Sequence, residues 1–175
     1  MKNNHSIMVA TDMSECATMA ESRAAMLCQQ LGKSRLDIIN VQDLSIIDML
    51  TRVLKSSSSD TEDAVRESMS GDLAQVATRL ENKYRIPCER LIRFGNPVAE
   101  IMKEIVARGT GLLVIGAHGN GPKSHDFLGN LPSKLLQISP VPLLVIRQEP
   151  KRAYDKIMIA VDFSEISYYQ ARQAL

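Results

Sequence analysis

The chain has 175 residues, 45% of them hydrophobic and 23% charged, with a formal net charge of +1. That length suits one ordinary domain with a short remainder. With near-neutral charge, 4% aromatic residues and no tryptophan, it has neither a basic face nor a stacking platform, which argues against a nucleic-acid surface. Cys16, Cys28 and Cys88 are an odd number of cysteines at unrelated spacings, as expected in a reducing cytoplasm. The first residues, MKNNHSIMVATD, lack an apolar core of signal-peptide length. No run reaches the roughly 18 apolar residues needed to span a bilayer. A cytoplasmic protein without a membrane segment is expected.

Ser6 to Thr11 (SIMVAT) is a short apolar run of strand type, followed by Ser14 as an N-cap and by Ala17, Ala20, Ala24, Leu27 and Leu31 at helical spacing, with Gly32 as the stop. Leu36 to Val41 (LDIINV) reads as the second strand. Ile46, Ile47, Leu50, Val53 and Leu54 read as a short amphipathic helix, and the serines at 56–59 as a flexible connector. Ser59 and Glu62 have capping-box spacing ahead of a stripe of Val65, Met69, Leu73, Val76 and Leu80. Pro87 turns the chain into a strand from Glu89 to Phe94. Gly95 to Pro97 opens a helix with Val98, Ile101, Met102 and Ile105 inward, ended by Gly109. A strand at Leu112 to Ile115, a glycine-rich loop, a short helix carrying Leu131, Leu135, Leu136 and Ile138, and a fifth strand from Val141 to Ile146 complete the series.

Five strands alternating with helices imply an α/β fold, a doubly wound parallel sheet with helices on both faces. Apolar runs such as LLVI suit strands buried on both sides. Taking the strand order as 3-2-1-4-5, a ligand would sit beyond the carboxyl ends of the first and fourth strands, where the order reverses. The end of the first strand, at Thr11 and Asp12, would then face the end of the fourth, at Gly116.

The stretch Leu112 to Asn130 (LLVIGAHGNGPKSHDFLGN) comes close to a P-loop, but Pro122 separates Gly121 from Lys123 and Ser124, and no helical apolar spacing follows at once. His5, His118 and His125 with the three cysteines show no metal-binding spacing, so no metal site is expected in the protein itself. No GxSxG nucleophile motif occurs. Phosphoryl transfer would need a base and a carboxylate-held cation, for which only Asp12 and Asp126 are placed, so binding is favoured over turnover.

Ile7 to Glu15 (IMVATDMSE) and Ile157 to Glu165 (IMIAVDFSE) are identical at six of nine positions, 150 residues apart. Such self-similarity at domain length suggests tandem duplication. The stretch Gln148 to Tyr154 (QEPKRAY) reads as a linker, which divides the chain into a domain over 1–148, a linker over 149–155 and the truncated start of a second, similar domain over 156–175.

These features together resemble the universal stress protein family, in the form of a tandem member's first domain and the beginning of its second. The resemblance covers Ser6 to Ile146 and restarts at Lys156. Its motif is a glycine, two residues, a glycine, nine residues, a glycine and then Ser or Thr. Gly116, Gly119 and Gly129 match in register, while Asn130 stands at the Ser or Thr position. The resemblance implies an adenine nucleotide as ligand: ATP, with AMP or ADP as alternatives, accompanied by Mg²⁺ or Mn²⁺. The residues it implies are Ala10, Thr11 and Asp12 at the adenosine end, Val41 against adenine, and Gly116, His118, Gly119, Gly129, Asn130 and Leu131 around the phosphates. Asp12 equally suits an Asx turn or helix cap, and His118 an ordinary surface position. The family pattern further implies a homodimer paired through the fifth strand, whose apolar edge calls for a partner. Two alternatives remain: an interaction module that binds no nucleotide, and a weak ATP hydrolase or nucleotidyl transferase using Lys123 and Asp126.

Overall fold

The computed structural model describes residues 6–33, 35–45, 49, 51, 53, 58–120, 128–160, 162 and 167. In chain order these form β1 (Ser6–Ala10), α1 (Glu15–Gln30), β2 (Leu36–Gln42), α2 (Ser58–Tyr84), β3 (Cys88–Phe94), α3 (Pro97–Arg108), β4 (Thr110–Gly116), α4 (Asn130–Ile138) and β5 (Leu143–Ile146). All strand pairs are parallel, and the sheet order is β3-β2-β1-β4-β5. The expected doubly wound architecture and its 3-2-1-4-5 order are therefore observed.

Strand alternation distributes the core between two layers. Ile7 and Val9 of β1 face α1 and α2, joining Ala20, Ala24, Cys28, Leu73 and Leu80. Met8 and Ala10 face the opposite layer, with Ile101, Ile105 and Leu135 from α3 and α4. The small residues of α1 let that helix lie close to the sheet, and Ala20, Ala24 and Ala25 are fully buried. Local signals fix the ends. The Ser14 hydroxyl accepts from Ala17 N–H at 3.2 Å, and the Asn96 side chain accepts from Ala99 N–H at 3.1 Å ahead of Pro97. Gly109 closes α3 in the left-handed conformation at φ 63.

Several expected boundaries move. Helix α2 starts at Ser58, so Ser58 and Ser59 belong to it and the Ser59–Glu62 capping box is not its start. Long-range packing of Leu73, Ala77, Leu80 and Tyr84 stabilises the helix and carries its polar first turns along. The fifth strand begins at Leu143, because Val141 is held in a turn in which its N–H donates to the Ser139 hydroxyl at 3.3 Å. Leu44, Ser45, Met49, Thr51 and Val53 are helical, whereas Ile46, Ile47, Leu50 and Leu54, the other apolar positions of that expected helix, lie outside the described residues.

Buried charges brace the amino end of the sheet. Asp37, fully buried in β2, accepts from Arg35 at 2.8 Å and from Arg108 at 3.0 and 3.3 Å, and Arg108 also pairs with Glu89 of β3. Beyond β5 the chain crosses α1: the buried Arg23 donates to the Arg152 carbonyl at 2.9 Å and lies over the Tyr154 ring at 4.1 Å. Residues 157–160 join no strand, and Ile157 and Met158 are 61% and 97% exposed. Among the described residues, no helix is long and apolar enough to cross a membrane.

Candidate functional site

A cleft of about 1100 Å³ opens at the carboxyl ends of β1 and β4, where the strand order reverses. Its walls fall into two zones. Ile39 and Val41 of β2, Pro97 and Ile101 of α3 and Ile115 of β4 make an apolar zone. Gly116, His118, Gly119, Asn120 and Leu128 to Ser133 line the other end, and Ala10, Thr11 and Asp12 lie between. Every residue expected from the sequence lines this cleft: Ala10, Thr11, Asp12, Val41, Gly116, His118, Gly119, Gly129, Asn130 and Leu131. Lys123, Ser124, His125 and Asp126 lie outside the described residues.

The floor at Thr11 is fully committed to the protein. Its N–H donates to the Ile39 carbonyl at 2.9 Å, and its own carbonyl accepts from the Asn40 side chain at 2.8 Å. Its hydroxyl donates to the Glu21 carboxylate and accepts from Met13 N–H. Thr11 can therefore offer a ligand contact area but no free donor. Met13 turns the chain at φ 63, which projects Asp12 outward between strand and helix. Glu21 is fully buried and also pairs with Arg79 of α2. Burial pushes its carboxyl group above the ordinary range, against the opposing pull of Thr11 and Arg79.

The cap of α1 is Ser14, while Asp12 serves the expected Asx turn and a second role. Its Oδ1 accepts from Ser14 N–H at 3.1 Å, as an Asx turn does. Its Oδ2 accepts from Asn120 N–H at 2.8 Å, and the Asn120 side chain donates back to the Asp12 carbonyl at 2.7 Å. This reciprocal clasp ties the end of β1 to the loop after β4. Asn120 was not singled out from the sequence, where an asparagine between two glycines reads as a turn residue.

The three motif glycines are places of close approach, and none is among the positive-φ glycines. A Cβ at Gly116 would lie 2.7 Å from the Cys16 carbonyl carbon, so this glycine admits the first turn of α1 against β4. At Gly119 a Cβ would lie 2.3 Å from Asp12 Oδ2, and at Gly129 it would lie 3.3 Å from the Ala117 carbonyl oxygen. Gly129 N–H donates to that same oxygen at 2.8 Å, which folds the loop back on itself and sets the start of α4. As the N-cap of α4, Gly129 has no side chain to cap the helix, whereas Ser14 and Asn96 cap α1 and α3. The first N–H groups of α4 therefore face the cleft without a cap. Among the described residues, no group of three or more His, Cys, Asp or Glu is placed to hold a metal ion.

A parallel sheet with helices on both faces, a zoned cleft at its switch point and an uncapped helix start beside it define a doubly wound α/β architecture with its crevice at the carboxyl ends of the strands. The model of the universal stress protein family matches residues 3–147, and the chain belongs to that family. Solved structures agree in fold. Universal stress protein UspA from Lactobacillus plantarum is 21% identical with a TM-score of 0.70, over 82% of this chain and 98% of its own. A universal stress protein solved in complex with cAMP is 16% identical with a TM-score of 0.55, over 82% and 96% of the two chains. One from Archaeoglobus fulgidus DSM 4304 is 19% identical with a TM-score of 0.51, over 85% of this chain and 46% of its own. No curated protein matches the sequence.

Proposed function

We propose that this protein binds an adenine nucleotide, ATP in the first place, in the cleft at the ends of β1 and β4, and acts as a cytoplasmic stress-response or regulatory module. One observation carries the reading: the glycine loop is clasped to Asp12 so closely that a single Cβ at Gly119 would lie 2.3 Å from the carboxylate, while the apolar zone and the donor-bearing zone stand on either side of that clasp. An adenine ring suits the zone of Ile39, Val41 and Ile101, and phosphates suit the loop and the start of α4. The residues present fit the ligand. Mg²⁺ or Mn²⁺ would enter on the phosphates. The cAMP complex of a protein with this fold supports the ligand class.

Binding by itself, with at most slow hydrolysis, is the proposed chemistry. Lys123 and Asp126, on which a transferase or hydrolase reading rests, lie outside the described residues. The apolar edge strand β5 supports a homodimer formed through it. The repeat at 157–165, together with the exposed Ile157 and Met158, supports residues 149–155 as a linker and 156–175 as the start of a second, similar unit. Coverage of 46% of the longer Archaeoglobus fulgidus chain accords with that division.

Calorimetry with ATP, with and without Mg²⁺, tests the central proposal on the native chain and on Gly119→Val. Binding that the variant loses is expected. No heat from the folded native protein at millimolar ATP would sink the reading and leave the β5 interface as the place to seek function.

A further inference from the structure

Glu21 is a carboxylate on a helix face otherwise made of small apolar residues. It lies among Ala17, Ala20, Ala24 and Ala25 of α1 and is 0% exposed. An apolar side chain of similar volume would avoid the cost of burying a charge there. What the carboxylate touches is the floor of the cleft. Its Oε1 accepts from the hydroxyl of Thr11, a cleft residue, and that hydroxyl accepts from Met13 N–H at 3.0 Å in the turn that carries Asp12. From α2 it is Arg79 that meets Oε2, through a side chain 44% exposed, so water screens the cation and the pair is neutralised only in part. Burial raises the carboxyl group above its ordinary range and the charge of Asp12 adds to the rise, while Thr11 and Arg79 pull the other way. Strands β1, β4 and β5 bring no charged residue to α1, and β2 brings only Asp37, which Arg35 and Arg108 hold at the opposite end of the sheet. On α1 itself Glu15 is exposed and Arg23 is engaged by the Arg152 carbonyl and the Tyr154 ring.

We infer that Glu21 is a positioning residue of the nucleotide cleft, acting through Thr11, and that binding of the anionic ligand is coupled to proton uptake at its carboxyl group. This rests on the adenine-nucleotide reading and deepens it. The partners decide where the proton goes. Arg79 has only donors, so Oε2 stays an acceptor and the proton settles on Oε1. The bond to Thr11 then reverses: Oε1 donates, and the hydroxyl accepts from both Glu21 and Met13 N–H, one for each lone pair, which releases its own hydrogen. One buried negative charge disappears beneath the cleft and one donor appears at Thr11, and both changes favour a ligand that carries phosphate. By linkage the bound ligand strengthens the carboxyl's hold on its proton by the same factor.

ATP is titrated by calorimetry into the full chain and into Glu21→Gln from about pH 5 to about pH 9, in two buffers of different ionisation enthalpy, with thermal melting as the check on folding. Glutamine reproduces the protonated state, since its carbonyl can accept from Arg79 while its NH₂ donates to Thr11. The native protein is expected to bind as tightly as the variant at the acid end and at least about threefold more weakly at the alkaline end, as one partly screened charge would have it. Protons exchanged by ATP or by His118 cancel in that ratio. Between the two ends the native protein should take up more protons on binding than the variant does. Arg79→Gln removes the cation, and the pH of greatest proton uptake should move upward; this second variant decides if Glu21→Gln does not fold. A native-to-variant ratio that is the same at every pH, tighter native binding at the alkaline end, or an uptake maximum that Arg79→Gln leaves in place overturns the inference while nucleotide binding stands. No binding of ATP by the folded native chain overturns both readings.

Discussion

Two motif glycines three residues apart are expected to fail in opposite ways when each is given one methyl group. In Gly116→Ala the new Cβ would lie 2.7 Å from the Cys16 carbonyl carbon, 2.8 Å from its oxygen and 2.9 Å from Ala17 N, all backbone atoms of α1. Ordinary contact begins at 3.4 Å, so α1 must retreat by about 0.7 Å and loosen the contacts of its buried alanines. Overpacking of this kind costs about 1–3 kcal/mol. At about 2–4 °C per kcal/mol for a chain of this size, the melting temperature should fall by roughly 4–8 °C for the middle of that range. In Gly119→Ala the obstacle is an exposed carboxylate. Asp12 can rotate away, giving up its bonds to Ser14 and Asn120 in favour of water, for a net loss below about 1 kcal/mol. Melting should barely move. The clasp that shapes the cleft is lost, however, and ATP affinity should fall at least tenfold, on the order of one charge-assisted bond. Thermal melting and calorimetry on the same preparations separate the two. Equal destabilisation by both substitutions would refute the reasoning, as would an unchanged melting temperature for Gly116→Ala.

Asp37→Ala removes the fully buried partner of Arg35 and Arg108 and should cost about 3 kcal/mol in urea denaturation; a loss below about 1 kcal/mol would show that Glu89 alone holds Arg108. Burial raises the carboxyl of Glu21 above its ordinary 4.5, so between that value and its folded value the native state holds more protons than the unfolded chain. Stability should therefore fall as pH rises through that window, and Glu21→Gln should abolish the fall; a native-to-variant difference independent of pH would contradict this. Burial pushes the Cys28 and Cys88 thiols up to about 11 and about 12, so neither should be alkylated by iodoacetamide at pH 8 until urea is added, as mass spectrometry would show.

Much of this architecture was legible because strand runs such as LDIINV and LLVI are continuous and apolar, as strands buried on both sides must be, and because Ser14, Gly32, Asn96 and Gly109 sit at helix ends with their usual chemistry. Strand order had to be assumed, since local patterns do not say which strands are neighbours. The two halves of the cleft were legible for a similar reason: each lies at a strand end marked by unusual residues, Asp12 on one side and the spaced glycines on the other. Asn120 escaped notice because its partner, Asp12, is 108 residues away and nothing in a loop asparagine announces a long-range clasp. Buried charges escaped for the opposite reason. Glu21 and Arg23 lie on a helix whose small apolar residues mark the inner face, and their own burial depends on Thr11, Arg79 and Tyr154, which arrive from other elements.

Those buried charges fix the shape of the cleft at its floor. Glu21 holds the Thr11 hydroxyl, Asn40 holds its carbonyl, and Met13 turns the chain, so Asp12 leaves β1 in one fixed direction. Only a carboxylate aimed that way meets both N–H groups, of Ser14 and of Asn120, and brings Gly119 against it. At the other end of the same sheet, Asp37 and Arg108 fasten α3 to β2, and α3 contributes Pro97 and Ile101 to the apolar wall of the cleft. The internal ion pairs thus position both walls, one through α1 and β1 and the other through α3, while touching no ligand themselves. The start of α4 completes the cleft from its other side, with Gly129 as an N-cap that offers no side chain to the first N–H groups of the helix.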